Sequence, residues 1–237
     1  MTTDPQRPSR RAPARWLTGG LLLPVLPFAA GCSVLCRLDY AHLLSRQGWQ
    51  RTDRVIETLA LAPGARVADI GAGDGYFSFH LADAVGPEGR VYAVDIDAEK
   101  LHRLREEVAR RGYANIEVVH AEPDDAGLPP TSIDLVFVCN AYHHIDERVA
   151  YFARLRTALA PGARVAIVDG KSEGAARLFI PSGHAVAPEL LVAELAAAGY
   201  RHLVRHDFLP LQSFDTFARA EPAVSAEQPG RDRTAAH

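Results

Sequence analysis

The segment at residues 67–77 constrains the fold of this chain more than any other. It reads VADIGAGDGYF, an apolar run followed by three alternating glycines. A run that is apolar at nearly every position is typical of a central parallel strand, which is covered on both faces. Glycines let the backbone turn tightly and pass close to a ligand, because no Cβ is in the way. The segment therefore predicts a buried strand, a ligand-binding turn and the start of a helix.

The details of this turn distinguish between two classes of nucleoside cofactor. A dinucleotide-binding turn has a third glycine that brings the helix close to a pyrophosphate, but Tyr76 stands at that position, and Asp69 adds a repelling charge. Asp95 ends the next apolar run and is placed to accept both hydroxyls of a ribose. S-adenosylmethionine has no phosphate, and its sulfonium, ammonium and ribose diol all suit nearby carboxylates. The sequence therefore predicts S-adenosylmethionine as the cofactor and methyl transfer as the reaction.

The order of the motifs resembles that of class I S-adenosylmethionine-dependent methyltransferases of the methyltransferase type 11 kind. After the glycine turn and Asp95 come CNAYHHI at residues 139–145 and LAPGARV at residues 159–165. The likeness extends over residues 51–220. It implies a Rossmann-like α/β fold, in which a mostly parallel seven-stranded sheet carries helices on both faces.

The resemblance also implies which residues bind the cofactor. Those assigned to its methionine moiety are Asp69 and the turn residues Gly71, Ala72, Gly73 and Gly75. Asp95 and Ile96 are assigned to the ribose and the adenine. Glu122 is assigned to the adenine, and Asn140 to the sulfonium. The chain departs from the family in having Ala121-Glu122 where Gly-Asp is usual, and Asn140 where an acid is frequent.

The acceptor side of the site is expected after the fourth strand, since ligands lie beyond the carboxyl ends of such strands. His143 and His144 are the candidate general bases, because imidazole titrates near neutrality. The alternative is structural: one caps the helix at Asp146 and the other packs on the sheet. Adjacent side chains tend to diverge, so a metal shared by these histidines is not expected. Asp169 is expected at the same edge, where the alternative is that it only caps a turn. His184 is expected as an exposed loop residue, and the alternative is that its loop brings it to the site.

Composition excludes several classes of protein. The chain has 237 residues, 48% of them apolar, which suits one α/β domain with appendages. The net charge of −3 gives no indication of a nucleic-acid partner, and the ten histidines lack metal-ligand spacing in the sequence. With only Cys32, Cys36 and Cys139, the sequence does not indicate a disulfide framework. Because Cys139 is the only one expected inside the domain, a thiol-dependent arsenite acceptor is disfavoured.

The sequence thus predicts a methyltransferase acting on a small molecule. Two alternatives remain open at this stage. One is a nicotinamide-dependent oxidoreductase, against which Tyr76 and Asp69 argue. The other is a methyltransferase-like domain that binds nucleosides or partners without catalysis. The intact glycine turn and Asp95 favour cofactor binding, but they do not by themselves establish transfer.

The N-terminal segment has the order of a secretory signal. Four arginines within the first 15 residues precede an uncharged stretch at residues 16–31, and Ala29-Ala30-Gly31-Cys32 follows. The last four residues resemble a bacterial lipoprotein box, whose cysteine becomes the lipidated first residue, with Ala29 in place of the usual leucine. An uncleaved membrane anchor and a misassigned start codon are the alternatives.

These features predict three regions. Residues 1–36 are expected to form the signal or anchor, residues 37–220 the methyltransferase domain, and residues 221–237 a disordered polar tail. Within the domain, a helix is expected over residues 147–159, followed by a turn at Pro161-Gly162 and a strand over residues 164–168. The loop at residues 171–188 is expected to cap the site. The signal places the protein in the bacterial cell envelope, either in the periplasm or attached to the membrane by a lipid. A cytoplasmic location is the alternative.

Overall fold

A computed structural model of the chain describes residues 46–172 and 183–220. Within these ranges seven strands form one sheet: β1 (Arg66–Ile70), β2 (Arg90–Asp95), β3 (Ile116–His120), β4 (Ile133–Cys139), β5 (Leu159–Gly170), β6 (Tyr200–His206) and β7 (Gln212–Arg219). The helices are α1 (Arg46–Gln50), α2 (Thr52–Leu59), α3 (Tyr76–Val85), α4 (Ala98–Arg111), α5 (Arg148–Leu155) and α6 (Pro188–Ala197), and a short 3-10 turn spans Tyr142–His144. The predicted signal and tail lie outside the described residues.

The sheet has the order β3-β2-β1-β4-β5-β7-β6. Strands β1 to β5 pair in parallel, whereas β7 is antiparallel to both β5 and β6. The predicted seven-stranded, Rossmann-like sheet is therefore confirmed, and it is mixed rather than purely parallel. Only residues 207–211 separate β6 from β7, and a connection this short joins antiparallel strands, because a parallel pair needs a crossover of about a dozen residues or more.

Strand side chains alternate between two hydrophobic cores, one on each face of the sheet. On β4, Phe137 packs with residues of α2, α3 and α4, whereas Val138 packs with residues of α5 and α6. On β1, Val67 and Ala68 divide between the same two cores. Successive strand residues point to opposite faces, so helices cover both faces, as predicted.

The predicted boundary between α5 and β5 was wrong. A helix was expected over residues 147–159 and a turn at Pro161-Gly162, but α5 ends at Leu155 and β5 already begins at Leu159. Ile133 pairs with Leu159 while Leu135 pairs with Arg164, so the start of β5 contains a bulge. Gly162 supplies the positive φ of 78° that this bulge contains.

The helices in the described ranges include none that is long and apolar enough to cross a membrane. The loop at residues 171–188 was expected to cap the site, but its residues 173–182 lie outside the described part. Its last residues are described, and an isolated parallel bridge joins Val186 to Lys171. This bridge returns the chain to the carboxyl end of β5.

Candidate functional site

The glycine turn lies at the point where the order of the sheet reverses. β1 pairs with β2 on one side and with β4 on the other, and the next connections run in opposite directions from there. Ligands of open α/β sheets bind beyond the carboxyl ends of the strands at such a point. Gly71, Gly73 and Gly75 all have φ between 57° and 82°, a region that side chains other than glycine rarely adopt. The sequence therefore places its most flexible residues where a ligand is expected.

The three glycines have different surroundings. A Cβ on Gly71 would lie 2.3 Å from the Cβ of Ala141, and one on Gly75 would lie 2.3 Å from Leu104 Cδ1. These two positions are glycine because neighbouring protein atoms occupy the space. A Cβ on Gly73 would meet nothing within 4 Å. Gly73 is thus the glycine of this turn whose free space is available to a ligand.

A cavity of about 820 Å³ lies beside Gly73, at the carboxyl ends of β1, β2 and β4. The predicted cofactor residues that line it are Gly71, Gly73, Asp95, Ile96, Glu122 and Asn140. Asp69, Ala72 and Gly75 are not among its lining residues. The predicted set therefore divides into a lining group and a group that supports the turn.

Asp95 stands at the end of β2 with its carboxylate fixed in place. The amide of Gly73 donates a hydrogen bond to Oδ2 at 2.8 Å, and the amide of Asp97 donates one to Oδ1 at 2.9 Å. Each carboxylate oxygen can accept a further hydrogen bond, so both oxygens remain able to receive ribose hydroxyls. Next to it, Ile96 is 59% exposed and gives the cavity an apolar surface. This pairing of a carboxylate with an apolar surface fits a nucleoside.

Asp69 supports the turn from inside the protein. It is only 2% exposed, and its Oδ2 accepts a hydrogen bond from the hydroxyl of Ser78 at 2.6 Å. Since Ser78 is on α3, this bond joins the end of β1 to the following helix. Asp69 therefore stabilises the fold around the turn. Of the two aspartates predicted to bind the cofactor, Asp95 is the one that lines the cavity.

Asn140 follows β4 in the left-handed conformation, with φ 55°, which asparagine tolerates better than most residues. Its Oδ1 accepts a hydrogen bond from Nε2 of Gln212 at 2.6 Å. Gln212 is buried on β7, and the sequence analysis did not single it out. No local signal identifies it, because the contact spans 72 positions in the sequence. Glu122 also lines the cavity, and it forms an isolated bridge with Asp125.

His143 is held by a buried carboxylate at the end of β5. Its Nδ1 lies 2.7 Å from Oδ1 of Asp169, and its amide donates to Oδ2 at 3.0 Å. Asp169 also accepts the amide of Gly170 and is 1% exposed. The prediction that Asp169 reaches this edge is confirmed. With Nδ1 directed at a carboxylate, Nε2 of His143 points away from Asp169.

The expectation that the histidines diverge was wrong. The rings of His143 and His144 have centroids 4.0 Å apart, and Nδ1 of His184 lies 3.2 Å from Nε2 of His143. The 3-10 turn places the first two side by side, and the bridge from Val186 to Lys171 brings the loop carrying His184 to the same edge. One ring nitrogen from each histidine lies within 4.8 Å of the other two.

His144 is the histidine of this group that lines the cavity. Partial desolvation of its imidazole lowers the pKa of His144, although the residue is exposed overall, and the neighbouring His143 and His184 lower the pKa further. A lowered pKa favours the neutral imidazole near neutral pH, which is the form that accepts a proton or binds a metal. The neighbouring Tyr142 is buried, and its hydroxyl donates to Glu194 at 2.7 Å. Burial and this acidic partner raise the pKa of Tyr142, so it stays protonated.

Comparisons with known proteins agree with this geometry. A family described as a methyltransferase domain matches residues 68–165. Aklanonic acid methyltransferase DauC of Streptomyces sp. (strain C5) is 30% identical over 128 residues, 54% of this chain and 58% of that protein. An arsenite methyltransferase of Halobacterium salinarum is 34% identical over 110 residues, 46% of this chain and 28% of that protein. The chain thus covers less than two thirds of either relative.

The fold is also similar to that of solved structures. A S-adenosylmethionine-dependent methyltransferase from Aquifex aeolicus has a TM-score of 0.67 and 25% identity, over 78% of this chain and 96% of that one. The family match at residues 68–165 begins in β1 and ends in β5, so it includes the glycine turn, Asp95 and the histidine pair. Residues 68–165 therefore match a methyltransferase domain family, and the described fold is similar to that of a S-adenosylmethionine-dependent methyltransferase.

Proposed function

We propose that this protein transfers a methyl group from S-adenosylmethionine to a small-molecule acceptor. The observation that carries the proposal is the cavity at the switch point of the sheet, with Asp95 and the open side of Gly73 in its wall. A volume of about 820 Å³ is within the roughly 300–1,000 Å³ of small-molecule and cofactor sites. A dinucleotide is disfavoured because Tyr76 stands where a dinucleotide-binding turn has its third glycine.

The residues of the cavity would divide the cofactor between them. Asp95 would accept the ribose hydroxyls, Ile96 and Glu122 would lie at the adenine, and Asn140 would lie towards the sulfonium. Gly73 would allow the backbone to approach the methionine moiety of the cofactor. Asp69, Gly71, Ala72 and Gly75 would stabilise the turn that contacts this moiety. When bound, the cofactor supplies a methyl carbon that a positively charged sulfur has already activated.

Methyl transfer also requires residues that bind the acceptor and, where the acceptor carries a proton, a base that removes it. His144 lines the cavity, so it is the histidine best placed to accept a proton from a hydroxyl or an ammonium. His143 is oriented by Asp169 and can support or replace it. The same imidazoles can instead bind a metal ion, and that second role follows from the position of His184.

We propose a narrower class of acceptor than the names of the relatives cover. One relative is named for aklanonic acid and another for arsenite. Cys139 is the one cysteine in the described ranges, and it is buried. Cys139 is not among the residues that line the cavity, so the described site does not suit an arsenite acceptor that is held by several thiolates. An organic small molecule is therefore the acceptor we propose.

Transfer can be tested with methyl-labelled S-adenosylmethionine and a fractionated extract of small metabolites. The wild-type protein should move label into at least one metabolite, and Asp95→Ala should lose most of this transfer. Asp134→Ala is the control, because Asp134 is an exposed carboxylate that contacts Arg66 at the other end of the sheet. Cofactor binding without label in any fraction would instead favour a non-catalytic nucleoside-binding domain.

We further propose that residues 1–36 direct the protein to the bacterial cell envelope, where it is periplasmic or lipid-anchored. The proposal is supported by the arginines, the uncharged stretch and the cysteine at position 32. Fractionation and mass spectrometry of the native protein should find an N-terminus at or near Cys32, with added acyl mass if it is a lipoprotein. A mature cytoplasmic protein that retains residues 1–31 would contradict export.

A further inference from the structure

Three imidazoles meet at one edge of the cavity, and we refer to His143, His144 and His184 as the histidine cluster. Each offers a ring nitrogen within 4.8 Å of those of the other two. Two of them lie in the turn after β4, and the third lies in the segment before α6. The fold therefore brings together histidines from distant parts of the sequence. Three imidazoles converging on one point match the ligand types that bind divalent transition metals.

The orientation of His143 fits a metal ligand. Its Nδ1 faces Asp169 at 2.7 Å, which leaves Nε2 as the nitrogen directed at the cluster. Metal-binding histidines characteristically hydrogen-bond through the second ring nitrogen to a carboxylate, which fixes the tautomer and the ring. Asp169 is buried and bound by two backbone amides, so its position is well defined. The carboxylate also supplies negative charge beside the cluster.

The spacing within the cluster is close to that of a zinc site. Zinc–nitrogen bonds of about 2.0–2.1 Å in tetrahedral geometry separate two ligand nitrogens by about 3.3 Å. Nε2 of His143 and Nδ1 of His184 are 3.2 Å apart. Without an ion, this distance is a hydrogen bond between two imidazoles. The His144 and His184 side chains are exposed, so core packing does not fix the orientation of their rings.

The surroundings of the cluster give an ion access to the three histidines. They also leave room for one coordination position that no atom of the described residues fills. His144 and His184 are exposed, and His144 lines the cavity. Lys100 on α4 places a positive charge near His144, and Asp169 places a negative charge near it. Three protein ligands with a fourth position open to water or substrate are the arrangement of catalytic zinc sites, whereas structural zinc sites have four protein ligands.

We propose that His143, His144 and His184 bind a divalent transition-metal ion of the Zn²⁺ type, with Asp169 as the positioning residue of His143. The ion would lie at the acceptor edge of the cavity. Resting on the proposed methyl transfer, this site favours an acceptor that presents an anionic oxygen or sulfur atom. Such an atom binds the metal after losing its proton to water, so no imidazole has to take that proton.

The binding of Zn²⁺ itself tests this proposal without an activity assay. The full chain, freed of metal by a chelator, is titrated with Zn²⁺ in competition with a chromophoric chelator. The His144→Ala and His184→Ala variants should each lose one high-affinity site, with affinity reduced by more than about a hundredfold. Asp169→Asn should weaken the site by roughly 10–100-fold, as for other carboxylates behind a ligating histidine. X-ray absorption should show a nitrogen shell at about 2.0–2.1 Å.

The control is His102→Ala, which removes an exposed histidine that pairs with Glu106 on α4. The two exposed cluster residues carry no core packing, so their variants are expected to fold, which circular dichroism can verify. If His144→Ala and His184→Ala bind Zn²⁺ as His102→Ala does, the metal site is refuted. Asp95→Ala should keep the Zn²⁺ site while losing the cofactor, so the metal proposal and the proposed function can fail separately.

Discussion

At the residue scale, Gly73 and Gly75 show why a motif is not a uniform ligand site. Both have positive φ, but Gly75 is packed against Leu104, whereas Gly73 borders open space next to Asp95. Asp69 and Asp95 divide in the same way, one buried within the fold and the other in the cavity wall. The sequence motif identifies the turn, and the packing decides which of its residues a ligand can reach.

A branched side chain at Gly73 should therefore block the cofactor. Gly73→Val is expected to abolish binding of S-adenosylhomocysteine in a calorimetric titration, because the side chain fills the ligand's space. Gly64→Val is a matched control, since Gly64 also has positive φ and open surroundings but precedes β1 at the other end of the strand. Both variants carry similar backbone strain. Equal affinity of the two variants would show that Gly73 does not face the cofactor.

The histidine pair leads to a prediction about turnover. Removal of a group that activates the acceptor typically lowers the rate by ~10²–10⁴. His143→Ala and His144→Ala should lower turnover on the true acceptor to this degree, while the affinity for S-adenosylhomocysteine stays nearly unchanged. Steady-state rates and calorimetry on the same preparations separate the two effects. If both variants keep full turnover, neither histidine takes part, and methyl transfer here rests on alignment alone.

At the element scale, a buried acid joins the two strands of the β6–β7 hairpin. Asp215 on β7 is 0% exposed, and its Oδ1 lies 2.9 Å from Nε2 of His202 and 2.8 Å from Nε of Arg205, both on β6. The hairpin also carries Gln212, which contacts Asn140 at the cavity. The stability of β6 and β7 is thus linked to the position of a cavity residue.

Removing Asp215 should destabilise the protein measurably. Asp215→Ala is expected to lower the free energy of unfolding by about 1.5–3 kcal/mol, the usual contribution of a hydrogen bond to a charged group. Glu189→Ala is the control, because Glu189 contacts the same Arg205 at 3.4 Å but is 74% exposed. Its loss should cost less than about 1 kcal/mol. Urea denaturation of both variants measures the difference, and an equal effect would refute the role of the buried pair.

The elements differ in how well the sequence predicts them. The unit of β1, the glycine turn and α3 was predicted closely, because its apolar run and glycines are local signals. The start of β5 was missed, since Pro161-Gly162 has the composition of a turn although it lies within a bulged strand. The histidine cluster was also missed. Its contacts span 26 positions from His143 to Asp169 and 41 from His143 to His184, and no local pattern predicts them.

At the scale of the whole molecule, the sheet order explains why the cofactor and acceptor sides share one edge. β1, β2, β4 and β5 all run parallel, so Asp95, Asn140 and Asp169 follow strand ends at the same edge. The sequence predicted this edge from the order of its motifs. The antiparallel β7 then returns Gln212 to it, a consequence of the short β6–β7 connection. The fold was therefore more predictable than the detailed partners of the site.

The central claim is that the cavity binds S-adenosylmethionine and not a dinucleotide. Isothermal titration of the protein with S-adenosylhomocysteine and, separately, with NAD tests it most directly. The account predicts saturable one-to-one binding of S-adenosylhomocysteine that weakens at least about tenfold in Asp95→Ala, because hydrogen bonds to a charged group contribute roughly 1.5–3 kcal/mol each. It predicts no saturable binding of NAD. Saturable binding of NAD, or affinity for S-adenosylhomocysteine that is unchanged in a folded Asp95→Ala protein, would contradict it.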